Sequence, residues 1–153
     1  MFSKLAHFLD STLADRNNTG QREVALKTAT AALLMEVARA DFDRSGPEME
    51  TVERLLSKQF NLSEDETRDL MEAARSASDQ SASLYRFTHA VHEHLDAAEK
   101  RHVVEMLWRV ALADRTLDKY EDSLMHKIAD LIYVPHGELM ATKNRVIEEL
   151  KAG

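Results

Sequence analysis

At 153 residues the chain has the length of one domain, enough to bury about 70% of the surface its unfolded form exposes. Acids outnumber bases 27 to 20 for a formal net charge of -7, which argues against a phosphate-binding nucleic-acid surface; the absence of cysteine excludes disulfides, thiolate catalysis, zinc knuckles and iron–sulfur clusters. Only 4 Gly and 2 Pro leave too little punctuation for a sandwich or barrel, so the composition predicts an all-α, soluble, cytoplasmic protein.

Residues 2–15 predict an amphipathic helix with an apolar stripe of Phe2, Leu5, Phe8, Leu9 and Leu13. A membrane-surface helix sets Lys and Arg opposite its apolar face. Here Lys4 is outweighed by Asp10 and Asp15, so the stripe is expected to dock on the body of the domain or on a partner. His7 and Asp10 also break any signal-peptide core. The longest apolar run, Ala31 to Met35, falls far short of the ~20 residues a membrane span requires, so no membrane insertion is expected. Further helices are predicted over 21–41, 47–59, 64–77, 82–95, 97–114, 119–132 and 136–150, giving about eight in all. Gly20 opens the second, and Asn61-Leu62 and Val134-Pro135 interrupt the chain later. Ser45-x-x-Glu48, Ser63-x-x-Glu66, Asp96-x-x-Glu99 and Asp118-x-x-Glu121 read as capping boxes, in which side chain and backbone satisfy each other's orphan amides. The stretch 76–83 is the most linker-like but too short to separate independent domains. Residues 1–20 thus form an N-terminal element and 21–153 one domain.

That domain contains a repeat. Leu34-Met35-Glu36-Val37-Ala38-Arg39-Ala40-Asp41 aligns with Leu107-Trp108-Arg109-Val110-Ala111-Leu112-Ala113-Asp114, sharing Leu, Val, Ala, Ala and Asp at one offset. Glu48 and Glu121 keep that offset, as do Val52 and Leu55 against Met125 and Ile128; one residue less aligns Leu62-x-x-x-Glu66 with Val134-x-x-x-Glu138. Two three-helix units, 21–77 and 97–150, joined by a connecting helix over 82–95, follow from this pattern.

An apolar helix ending in Ala-Asp, a short polar loop and a helix opening with Glu, all repeated once, resembles the tellurite-resistance TerB family over residues 25–150. The same fold forms the amino-terminal part of a membrane-anchored J-domain co-chaperone. Where family members commonly carry Gly after the Asp, this chain has Phe42 and Arg115. The resemblance implies a multihelical module with an acidic, cation-binding surface, a role in stress responses, and association with other proteins near the inner membrane. It supplies no enzyme activity. The His-Pro-Asp tripeptide of a J-domain is absent, so chaperone stimulation is not expected.

The residues with chemical potential are acidic. Asp41 and Asp114 stand at i+7 and i+4 from Leu34 and Val37, and from Leu107 and Val110, and so are expected to project from the inward stripe at a helix C-terminus. Negative charge there is disfavoured by about 0.3–1 kcal/mol. Backbone amides or a divalent cation would compensate, and the sequence leaves both open. Asp41-Phe42-Asp43-Arg44-Ser45-Gly46 reads as the opening half of an EF-hand loop, whereas Val52 stands where the closing bidentate Glu belongs. The candidate ligands for Ca²⁺ or Mg²⁺ are therefore Asp41, Asp43, Glu48, Asp114 and Glu121, with Glu50 in reserve; Glu48 and Glu121 have sufficient structural work as caps. His89, His92 and His94 point in diverging directions around one helix, which leaves only His89 and His92 able to share an ion. There is no G-x-S-x-G and no glycine-rich phosphate loop, and Trp108 reads as core. The preferred expectation is a non-enzymatic protein-interaction module that binds a cation weakly. A metal-free scaffold is the alternative, and metal-assisted hydrolysis ranks last.

Overall fold

The second predicted helix is apolar around nearly its whole circumference, and a helix of that kind must be covered on every side. In the computed structural model, which describes residues 19–39, 46–79, 84–113, 117 and 119–152, it is α1, Thr19–Arg39. From Thr28 to Ala38 every side chain except Glu36 is buried. Ala29, Ala31, Ala32 and Ala38 keep its surface thin, so neighbouring helices approach closely. The others are α2 (Gly46–Phe60), α3 (Glu64–Asp79), α4 (Leu84–His94), α5 (Ala97–Ala111), α6 (Lys119–Leu131) and α7 (His136–Ala152). Among the described residues all regular structure is helical, and no helix is long and apolar enough to cross a membrane. The helix predicted over 2–15 lies outside the described residues.

The packing has an internal correspondence. α1 packs on α2 and α3, and α2 on α3; α5 packs on α6 and α7, and α6 on α7. The two units meet through α1 on α5, with α2 reaching across to α5 and α6 across to α1. Exchanging the units leaves this set of pairings unchanged. α4 lies outside it and packs on α1 and α6. Three of the pairs shared between the repeats are core residues: Leu34, Val37 and Ala38 in α1 and Leu107, Val110 and Ala111 in α5 are all buried, as are Met35 and its counterpart Trp108.

The helix ends repeat as well. α2 and α6 both stop at a residue with left-handed backbone, Asn61 (φ 53°) and Tyr133 (φ 62°). In both, the next amide reaches back to close a Schellman cap, Leu62 N to Ser57 O at 3.0 Å and Val134 N to Ala129 O at 2.9 Å. Two predicted capping boxes are complete. Ser63 N donates to Glu66 Oε1 at 2.9 Å while Glu66 N donates to Ser63 Oγ at 3.1 Å. Asp96 and Glu99 make the same exchange at 2.9 and 2.8 Å. The backbone amide and hydroxyl of Ser63 hold the Glu66 carboxyl below its ordinary range. Ser45 and Asp118 lie outside the described residues.

Helix limits differ from expectation by up to three residues, and two of the differences have a plain cause. α3 continues to Asp79, since Ser76, Ala77 and Ser78 carry nothing that forbids a helix, so the linker-like stretch is partly helical. α5 stops at Ala111 with Leu112 as its C-cap (φ -102°, ψ 11°), and Ala113 N bonds back to Val110 O at 3.2 Å. α5 thus ends short of the predicted limit, and Asp114 lies outside the described residues.

α5 and α7 are tied by Trp108. Its buried indole donates from Nε1 to Leu139 O at 3.1 Å, with Lys143 Nζ 5.2 Å from the ring centroid. Alongside it Arg109 bonds Glu105 at 2.9 Å and Glu149, and Arg145 approaches Glu105 at 3.8 Å. Burial works against the Arg109 charge, but the two carboxylates outweigh it and raise the guanidinium above its usual pKa. Trp108→Ala removes the indole packing and leaves a cavity between α5 and α7. We expect a loss of about 3–5 kcal/mol in urea unfolding with the helical circular dichroism retained in buffer.

Candidate functional site

Each unit connects its first helix to its second through an acid-bearing segment, 40–45 in the first and 112–118 in the second. Asp41, Asp43 and Asp114 lie outside the described residues, so neither their convergence nor their separation follows from the structure. Glu48 falls in the first turn of α2, its side chain also outside the described residues. Glu121 is the member of the expected set whose side chain is placed. It sits in the first turn of α6 with only 1% of its surface exposed.

That burial is unusual for a glutamate, because removing a carboxylate from water is costly unless donors or positive charge meet it. The first turn of a helix supplies part of this, since its amides point outward and its dipole favours an anion by about 0.3–1 kcal/mol. Glu121 stands at i−4 from Met125 and i−7 from Ile128, both buried, so the apolar stripe of α6 carries its side chain inward. Glu99 of the second complete capping box has the same spacing to buried Val103 and Met106, yet it is exposed. What separates the two is whether a neighbouring element covers the end of the helix.

Glu50 is exposed on α2 and lines a polar cleft toward α3 with Glu53 and Glu64, into which Arg54 and Arg68 also face. Among the described residues no group of three or more His, Asp or Glu side chains is arranged to hold a metal ion. The His89–His92 pairing is also divided. His92 Nδ1 accepts from Lys100 Nζ at 2.7 Å, which occupies the lone pair a metal would take, and His89 lies 3.9 Å from Glu93.

Sequence reasoning missed an aromatic surface. Tyr85 stacks on His89 at 5.9 Å along α4, and His92 packs at 4.3 Å against Tyr133 from the end of α6. Tyr85 and Tyr133 are 67% and 72% exposed. The i,i+4 spacing of Tyr85 and His89 is visible in the sequence; the partnership with Tyr133 depends on α4 packing against α6. A second pair, His126 and His136 at 5.4 Å, joins α6 to the start of α7 beside Asp122.

These features define a duplicated all-helical module whose two central helices run into acid-bearing connections. The chain matches the family described as Tellurite resistance protein TerB over residues 27–144, and it belongs to that family. Neither the curated proteins nor the solved structures give a match. The match spans α1 from its buried stretch through to α7, so the family assignment and the all-helical architecture coincide.

Because Glu121 is buried at a helix start, truncating it is expected to matter far more than truncating an exposed acid. Glu121→Ala should lower stability by about 1–3 kcal/mol and Glu50→Ala by no more than about 0.5 kcal/mol, measured by chemical denaturation.

Proposed function

We propose that this TerB-family chain is a non-enzymatic helical module that binds Ca²⁺ or Mg²⁺ weakly through its acidic inter-helix connections and acts through contacts with other proteins. The observation that carries this reading is the burial of Glu121 at the start of α6. An anion held at that point favours positive charge beside it, and Asp114 and Asp118 are close to it in sequence. The first unit offers the same number of acids, Asp41, Asp43 and Glu48, with its two aspartates at the alternate positions of a cation-binding loop opening, and each connection holds one arginine, Arg44 and Arg115. Clustered hard oxygen ligands suit these two ions. The first connection is therefore the stronger site. The exposed tyrosines supply contact area of the kind protein interfaces use. A role in a tellurite-related stress response, in the cytoplasm and with peripheral association at the inner membrane, extends the family reading.

A metal-free scaffold is the second reading. Its support is that Glu66 and Glu99, in the same motif position as Glu48 and Glu121, are occupied in capping their own helices. Thermal unfolding of chelator-treated protein separates the two. Millimolar Ca²⁺ or Mg²⁺ should raise the melting temperature, by the equivalent of about 2.7 kcal/mol at 100 times Kd, and Asp41→Ala should abolish most of the rise. No shift with either ion leaves the scaffold reading.

A further inference from the structure

One flank of the α1–α5 pair has an open groove of about 600 Å³. Its floor is Leu26 and Thr30 of α1, Phe60 at the end of α2, Leu95, and Val103 and Met106 of α5. Lys27 lies over the Phe60 ring, 5.6 Å from its centroid, and His102 bonded to Gln59 forms another part of the rim. An apolar floor with a polar rim is the shape that receives the apolar face of an amphipathic helix. The exposed Glu99 belongs to this opening: it lines the groove from the same stripe as Val103 and Met106.

The chain itself contains a matching sequence, since the pattern of residues 2–15 predicts an amphipathic helix. α1 begins at Thr19, and Leu26 stands about 10 Å along its axis. A helix over 2–15 is about 21 Å long. Residues 16–18, Arg-Asn-Asn, are enough to connect two antiparallel helices. Folded back along α1, such a helix brings Phe8 and Leu9 to the level of Leu26 and Leu5 to that of Thr30. Its stripe lacks the opposing basic face that would direct it to lipid. A short connection also gives it a millimolar effective concentration over the groove, an advantage that a second copy or a separate partner lacks.

We propose that the groove is the docking site of the chain's own residues 2–15, packed antiparallel to α1 as an amphipathic helix with Phe8 and Leu9 against its floor. The inference is independent of cation binding.

The absence of cysteine makes the test clean. The full chain carrying Ala6→Cys and Ala98→Cys is treated with a short bismaleimide and analysed by mass and denaturing gel. The expected result is an intramolecular cross-link whose rate does not change with protein concentration. It should slow at least tenfold when Phe8→Asp and Leu9→Asp are added, and be lost when Asn144→Cys on α7 replaces Ala98→Cys. Circular dichroism verifies that each variant is folded. Absence of the cross-link in the parent pair, or indifference to the two aspartates, overturns the proposal. Cross-linking only between molecules overturns it in favour of a second copy, and co-sedimentation of the unmodified chain with phosphatidylglycerol vesicles, abolished by Phe8→Asp, overturns it in favour of lipid.

Discussion

The contact between α1 and α5 is the constraint that organises the rest of the molecule. Each helix is apolar on most of its circumference, so neither is stable in water until other helices surround it. The two cover one another and are sheathed by α2, α3 and α4 on one side and α6 and α7 on the other, with α2 and α6 each bridging to the opposite unit. The alanines of α1 and Ala111 of α5 let the helices approach closely, and Trp108 takes the larger volume where Met35 stands in the first unit. Close packing of this kind fixes where each central helix ends and hence where its acid-bearing connection begins. Neighbouring helices, more than sequence spacing, then set the environment of each acid.

Glu121, Glu99 and Glu66 illustrate this dependence. All three occupy the third position of a helix after a capping motif. Glu66 and Glu99 remain in water and give their carboxylates to the preceding backbone amide. Glu121 is shielded from water. One short motif thus serves as a simple cap or as a buried anion according to what packs over it. The second unit displays the buried form of the motif.

Most of the helical framework was legible because long apolar stripes and paired caps are local signals. The Ser63 and Asp96 boxes form as their spacing indicates, and the Leu, Val and first Ala of the repeat are buried in both α1 and α5. Asn61 marked the end of its helix, and its short polar side chain tolerates the left-handed backbone it adopts there. Its counterpart Tyr133 did not, because nothing in an aromatic side chain favours φ of 62°; the Schellman bonds and the His92 contact hold it there. The end of α5 at Ala111 was illegible for a related reason: the helix closes through its Leu112 cap, where the apolar period itself gives no stop. The groove and the burial of Glu121 are products of tertiary cover, which no single helix pattern contains.

Native-state hydrogen exchange tests the central claim most directly. If α1 and α5 form the mutually dependent core, the amides of both from Thr28 to Ala38 and from Val103 to Ala111 should exchange slowest and with one common free energy, equal to that of global unfolding. Exchange of α1 through a partial opening that leaves α5 protected, or amides of α3 or α7 that outlast both, would contradict it.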